Sequence, residues 1–267
     1  MQKVVLITGG SKGIGKATGQ LLSENGFKVY GTSRNPDTIS NHPFKLLPLD
    51  VTDPNSIARC IDLLKSETSR LDILINNAGA GITGPIEEIP EAEIKKNFET
   101  NFFGPVAMIK SVLPLMRENK SGLIINVTSI AGYMGLPFRG VYSASKGALE
   151  LITEAISMEV KSFGIDVVNF APGDVATDIA AGRYHSPLKE SSAYKATYGK
   201  TLELMDTHVD SGKDPMFIAN AIYNIITSKS RKVHYKAGEP LQKFSIVLKR
   251  LLPDRWYEKM LMNHYKL

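Results

Sequence analysis

The sequence predicts an α/β fold: a doubly wound parallel sheet with helices on both faces, forming a single domain with a C-terminal amphipathic helical extension. Three observations carry that expectation. Strand-length apolar runs alternate with longer helical patterns up to about residue 236. Most of those runs are continuous and β-branched, as strands buried on both faces require. No repeat, low-complexity tract or Pro/Gly-rich linker divides the 267 residues, a length that one α/β domain can hold.

The elements follow in order. Lys3–Thr8 is a strand, and Gly13–Asn25 is the first helix after a glycine-rich turn. Lys28–Thr32 and Lys45–Leu49 are the next strands. Pro54–Ser69 is a helix announced by Thr52-Asp53-Pro54, a capping residue followed by a proline suited to the first helical position. Asp72–Ile75 is a strand, Pro90–Asn119 one long helical pattern interrupted at Asn101, and Gly122–Val127 a strand. Val141–Phe163 is a helix, Ile165–Phe170 a strand, Asp214–Ser228 a helix opened by Asp214-Pro215, and Lys232–Tyr235 the last strand. Asp178–Gly212 breaks the rhythm, with no strand pattern and weak helical periodicity. Because it follows a strand end, we expect residues 178–212 to fold over the site as a lid. The domain proper is expected to span residues 1–236 and the extension 237–267.

Composition narrows the class. The chain is 43% hydrophobic and 22% charged, an ordinary globular balance that excludes disorder and collagen-like structure. One cysteine, Cys60, rules out an intramolecular disulfide and a cysteine-based zinc cluster, and no metal is expected. No apolar run approaches a membrane span and no signal peptide is readable, so a cytoplasmic location is expected. The net charge is +5, but Lys229–Leu267 carries ten basic and three acidic residues, a local +7 that leaves −2 on the remainder. A near-neutral body argues against nucleic-acid binding.

Chemistry enters at the strand ends. The turn Thr8-Gly9-Gly10-Ser11-Lys12-Gly13-Ile14-Gly15 joins the first strand to the first helix. Glycines there let the backbone approach a pyrophosphate, and the helix N-terminus supplies free N–H groups. The second strand ends in Gly31-Thr32-Ser33-Arg34-Asn35, without the acid that usually accepts a ribose 2′-hydroxyl. Ser33 and Arg34, with Lys12 nearby, suit a 2′-phosphate and so predict NADP(H). Tyr142-Ser143-Ala144-Ser145-Lys146 opens a helix, so the ammonium of Lys146 lies near the phenol of Tyr142 and is expected to favour its phenolate form. Such a tyrosine can give a proton to a carbonyl oxygen or take one from an alcohol. Ser129 ends the fifth strand, where its hydroxyl can polarise that carbonyl or, more plainly, cap a turn. Asn101 can hold a water for proton relay or simply mark a helix kink.

Taken together, these residues resemble the classical short-chain dehydrogenase/reductases over residues 3 to about 236. The motifs stand as Thr8-Gly9-x-x-x-Gly13-x-Gly15, Asn76-Asn77-Ala78-Gly79, Asn101, Ser129, Tyr142-x-x-x-Lys146 and Pro172-Gly173, with thirteen residues from Ser129 to Tyr142. The resemblance implies a seven-stranded Rossmann sheet in the order 3-2-1-4-5-6-7. It implies Tyr142 as acid/base, Lys146 tuning it and binding the nicotinamide ribose, Ser129 orienting the substrate oxygen and Asn101 supporting the relay. It further implies adenine contacts at Asp50 and Val51. Asn77, Ala78 and Gly79 would line the cofactor ribose, and Pro172, Gly173, Val175 and Thr177 would meet the nicotinamide side and pyrophosphate. A homodimer or homotetramer would pack the helices Pro90–Asn119 and Val141–Phe163.

The expected activity is interconversion of a ketone and a secondary alcohol. Met134, Leu136, Pro137 and Phe138 near the site favour a lipophilic substrate, steroid-like or a long-chain 3-keto lipid. A 3-oxoacyl group on a carrier protein, a small polar ketone or sugar, and a non-catalytic NADP sensor or scaffold are the alternatives. The tail divides at Pro253. Helical projection puts Phe244, Val247, Leu248, Leu251 and Leu252 on one face, opposite Lys243, Lys249 and Arg250; after the proline, Trp256, Tyr257, Met260 and Leu261 fall together. Residues 243–262 can therefore lie on an anionic membrane surface, or pack on the body or a partner subunit.

Overall fold

The computed structural model describes residues 2–175, 182–210 and 212–267. The first strand, β1 (Val4–Ile7), is buried along its whole length. Its side chains alternate between two cores: Val4 and Leu6 join one, Val5 and Ile7 the other. A strand that must be apolar on both faces reads as an unbroken apolar run, and that is the physical origin of the pattern in the sequence.

The chain continues through α1 (Gly13–Glu24), β2 (Lys28–Ser33), β3 (Lys45–Pro48), α2 (Pro54–Glu67) and β4 (Ile73–Asn76). A two-residue strand, β5 (Ile82–Thr83), precedes α3 (Glu91–Phe98), α4 (Gly104–Glu118), β6 (Gly122–Val127), α5 (Gly140–Glu159) and β7 (Ile165–Pro172). Then come β8 (Tyr184–His185), α6 (Lys195–Asp210), α7 (Pro215–Thr227), β9 (His234–Ala237), α8 (Pro240–Leu251) and α9 (Asp254–Tyr265). The described strands form a parallel seven-stranded sheet in the order β3-β2-β1-β4-β6-β7-β9, the expected 3-2-1-4-5-6-7 once the small β5-β8 ribbon is set aside. Ile57, Cys60, Ile61 and Leu64 of α2, with Met108, Val112 and Met116 of α4, cover one face. Ile14 and Leu22 of α1, with Ile218, Ile222, Ile225 and Ile226 of α7, cover the other. The doubly wound architecture is thus built from two apolar layers, one on each side of the strands.

The expected start signals act as read. The Asp53 side chain accepts from Asn55 N at 2.9 Å ahead of Pro54, and Asp214 accepts from Met216 N at 2.6 Å ahead of Pro215. Four features depart from the expectation. Pro90–Asn119 is not one helix: a π-helical turn, Glu99–Phe103, joins α3 to α4 and contains Asn101. Residues 182–210, read as irregular, hold β8 and the whole of α6; the remainder of the expected lid, 178–181 and 211, lies outside the described residues. The last strand starts at His234, two residues late, with Asn169 paired to His234. Arg231 explains the delay, since it is tied to the carbonyls of Ile225 and Ile226 and to Asp166 before pairing begins.

The fourth departure is the tail. Ile246, Leu248, Leu252, Tyr257, Met260 and Leu261 pack on Ile130, Met134 and Ala171 of the body. Leu241, Phe244, Val247, Leu251 and Trp256 are left exposed, Leu251 by 76% and Trp256 by 71%. The predicted single stripe is therefore split: α8 carries two apolar faces, and only the one centred on Ile246 is covered.

Candidate active site

The site is built at the carboxyl ends of the strands. After β1, Gly9 and Gly13 take φ of +63° and +53°, a region that favours glycine. The turn is tied to its neighbours: Gly10 N donates to Thr32 O at 2.9 Å, and Asn77 Nδ2 donates to the carbonyls of Thr8 and Gly9 at 3.0 Å each. The Thr8 hydroxyl accepts from the backbone N–H of Asn77 and Ala78. A Cβ on Gly15 would sit 2.3 Å from Gly9 O, so α1 packs against the turn only because position 15 has no side chain. No side chain caps the start of α1, which leaves its first N–H groups available to an anion.

Around this turn lies a cavity of about 670 Å³. Gly9, Ser11, Lys12, Gly13 and Ile14 line one side; Ser33 and Arg34 stand at the end of β2, Asp50 and Val51 after β3, and Asn77, Ala78 and Gly79 after β4. Gly15 lies behind this lining. Burial works against ionisation of Asp50, but two hydrogen bonds from Thr52, at 2.9 and 2.7 Å, and the Arg34 charge outweigh it and hold the carboxyl below its usual range. A glycine cradle, an open helix start and two cations, Lys12 in the turn and Arg34 after β2, fit the phosphates of a dinucleotide.

A smaller cavity of about 90 Å³ shares Ile14, Asn77 and Gly79 with the first. Ser129, Tyr142, Lys146, Pro172, Gly173 and Val175 all line it. Thr177 lies outside the described residues. Tyr142 and Lys146 share one face of α5. The Lys146 ammonium is buried and donates to Val127 O at 2.9 Å; burial pushes its pKa down to about 8. Ser129 caps a short turn by accepting from Ala131 N at 3.1 Å, and it also lines the cavity.

Asn101 lines neither cavity. It is fully buried in the π turn; its amide nitrogen donates to Ala80 O, Asn97 Oδ1 and Ser145 Oγ, and its oxygen accepts from Ala80 N at 2.8 Å. Its side chain is therefore spent on fixing the Ala80 turn and Ser145, and has no donor left for a water. It still stands close to the chemistry, because a Cβ on the intervening Gly79 would lie 3.3 Å from Asn101 Oδ1 and 3.4 Å from Lys146 Nζ.

Sequence reasoning missed three features. Arg139, three residues before Tyr142, lines the catalytic cavity with its guanidinium 5.3 Å from the Tyr142 ring centroid. An arginine in an otherwise apolar loop was the available signal. Arg183, from the segment read as irregular, lines it as well. Behind Ser129 lies a polar network: Thr128 Oγ1 donates to Asn169 Oδ1, and Asn169 Nδ2 donates to Tyr133 Oη at 3.0 Å. Within it, His234 Nε2 meets Glu154 at 3.0 Å, and Nδ1 lies 3.2 Å from both Tyr133 Oη and Asn169 Nδ2. Both ring nitrogens are engaged with different partners, and Glu150 Oε1 stands 3.7 Å from Nδ1, so Glu150, Glu154 and His234 lie together. The network draws on the turn Ile130–Tyr133, α5, β7 and β9, a convergence invisible to local patterning.

Comparison with known proteins agrees with this geometry. The model of the family described as short chain dehydrogenase matches residues 3–187. The chain is 39% identical to a protein of Bacteroides thetaiotaomicron named 3-ketodihydrosphingosine reductase, over 98% of each. Among solved structures, a short-chain dehydrogenase from Streptomyces avermitilis matches with TM-score 0.82 and 28% identity, over 99% of this chain and 97% of that one. ElxO with NADP bound matches with TM-score 0.70 and 27% identity, over 89% and 96%. The chain belongs to the short-chain dehydrogenase/reductase family, and is an oxidoreductase of CH–OH and C=O groups with a nicotinamide cofactor.

Proposed function

We propose that the protein is an NADP(H)-dependent reductase of a lipophilic ketone, steroid-like or a long-chain 3-keto lipid, and that it forms the corresponding secondary alcohol. The observation that carries this reading is the meeting of Ser129, Tyr142 and Lys146 on one cavity continuous with the glycine cradle. When bound, the reduced nicotinamide supplies the hydride. The Ser129 hydroxyl holds the carbonyl oxygen, and the Tyr142 phenol gives that oxygen its proton. The Lys146 ammonium, on the same helical face, compensates the negative charge left on the phenolate. Asn101 keeps the Ala80 turn in place beside Lys146. Preference for the 2′-phosphorylated cofactor is supported by Arg34, Ser33 and Lys12 on one cavity.

The lipid reading is supported by the 39% identity to a protein named for a keto-lipid, and by the apolar cluster of Ile130, Met134 and Leu136 with α8 and α9 beside the site. We assign peripheral contact with an anionic membrane to the exposed Leu241, Phe244, Val247, Leu251 and Trp256, among Lys243, Arg250 and Arg255. Among the described residues no helix is long and apolar enough to cross a membrane. Exposed Phe103, Leu151 and Met158, on the π turn and α5, support a homo-oligomer packed through that face. Turnover of a carbonyl panel with NADPH tests the activity. Tyr142→Phe should keep cofactor binding and lose nearly all turnover; full activity in that variant refutes the mechanism, and cofactor binding with no turnover of any carbonyl by the unaltered protein favours a sensor instead.

A further inference from the structure

The proposed chemistry leaves Arg139 without a task. It lines the catalytic cavity together with Ser129, Tyr142 and Lys146, and its guanidinium lies 5.3 Å from the Tyr142 ring centroid. The loop that presents it is fixed at several points. Arg139 N donates to Leu136 O at 3.1 Å, Ser143 N donates to Arg139 O at 2.9 Å, and Gly84 N donates to Phe138 O at 2.8 Å. The Phe138 ring packs 5.2 Å from that of Tyr198 in α6.

On the C-terminal side the guanidinium neighbours the phenol of Tyr265, at the end of α9. Tyr265 is buried, and its carbonyl accepts from Thr201 Oγ1 of α6 at 3.3 Å. Below it, Tyr257 Oη donates to Met134 Sδ at 2.8 Å, which ties α9 to the same loop. The C-terminal extension therefore packs behind the loop that presents Arg139.

A guanidinium carries five N–H donors, and one phenol oxygen does not exhaust them. A ketone with no second polar group would cover these donors with hydrocarbon, which is unfavourable. A substrate with an acceptor oxygen close to the reacting carbonyl would instead satisfy them. Resting on the reductase reading and narrowing it, we infer that Arg139 is a specificity-determining residue. It donates to an oxygen two carbons from the reacting carbonyl, as in a 1-oxygenated 3-keto chain, and Tyr265 is the positioning residue that aims it. A steroid-like monoketone lacks that oxygen, so this assignment separates the two lipid classes.

The test uses the full chain with saturating NADPH and two ketones of equal length: a long-chain 1-hydroxy-3-ketone and the matching 3-ketone without the hydroxyl. The unaltered enzyme should prefer the first by about 10- to 100-fold in kcat/KM, the range for a charged donor meeting a buried acceptor. Arg139→Leu should collapse that ratio toward one, and Arg139→Lys should restore part of it. Tyr265→Phe should lower the ratio about 3- to 10-fold, mainly through KM for the hydroxyketone. A ratio near one in the unaltered enzyme overturns the inference and leaves the reductase reading standing. Equal losses on both substrates in the variants also overturn it, since a merely structural role would lower both alike. No turnover of any carbonyl overturns the reductase reading together with this one.

Discussion

Replacing Glu150 by glutamine should stabilise the protein, and more so at high pH. Glu150 sits one helical turn beyond Lys146, 8% exposed, with Oε2 lacking a hydrogen-bond partner. Burial is the main reason its pKa rises from 4.5 to about 7. The bond with Tyr133 opposes the rise, the Glu154 charge adds to it, and Lys236 and Arg250 offset part of it. His234 faces it from β9, with Nδ1 3.7 Å from Oε1. The native state thus binds its proton more tightly than the unfolded chain does. Stability that is fully present below pH 4.5 is then lost as the pH rises to about 7, after which the deficit is constant. At 1.36 kcal/mol per pKa unit, the full deficit is about 3 kcal/mol. Glutamine keeps the shape and removes the charge. Urea unfolding should therefore show Glu150→Gln more stable than the unaltered protein by about 2–3 kcal/mol at pH 8, with the advantage shrinking to under about 1 kcal/mol at pH 5. An advantage independent of pH, or a less stable variant at pH 8, would show that the carboxylate is held by partners that favour its charge.

Two further outcomes follow from the cavity and the tail. Arg34→Ala should weaken NADPH binding by about 10- to 100-fold and leave NADH binding nearly unchanged, because in the proposed reading the 2′-phosphate is the group this guanidinium would meet; an undiminished NADPH preference in a cofactor titration would remove Arg34 from recognition. Phe244→Glu combined with Leu251→Glu should abolish co-sedimentation with vesicles containing anionic lipid while preserving turnover of a short ketone in solution, since both side chains point away from the body; equal sedimentation of variant and unaltered protein would end the membrane assignment.

Local chemistry made much of this molecule legible. The apolar run of β1 declares burial on both faces, the glycines of residues 9–15 declare a tight turn, and Asp53 and Asp214 declare helix starts. Tyr142 and Lys146 could be paired because a helix repeats every three to four residues. The less legible parts depend on distant partners. The start of β9 is set by Arg231 reaching back to α7 and β7, and the π turn at Asn101 by the Ala80 loop it must hold. Helix α6 carries weak periodicity because its buried members, Tyr198, Thr201 and Met205, include polar side chains that bond Thr83 and Tyr265 of other elements. On α8 the apolar positions outnumber those the body can cover, so projection alone did not separate the packed face from the open one. Arg139 carries no local signal of where it points; only the packed fold sets it on the cavity beside Tyr142.

The packing of α8 and α9 on the catalytic loop also has a temporal meaning. The residues around the larger cavity lie at or before Tyr184, whereas the phenol beside Arg139 belongs to α9. During synthesis from the N-terminus, the cleft for the dinucleotide is encoded long before the helices that pack behind the catalytic loop. A chain halted after β9 would carry the cradle and the Ser129, Tyr142 and Lys146 side chains, yet lack the cover that α8 and α9 give to Ile130 and Met134. On the inference drawn above, discrimination between ketones depends on residues made well after the cofactor cleft.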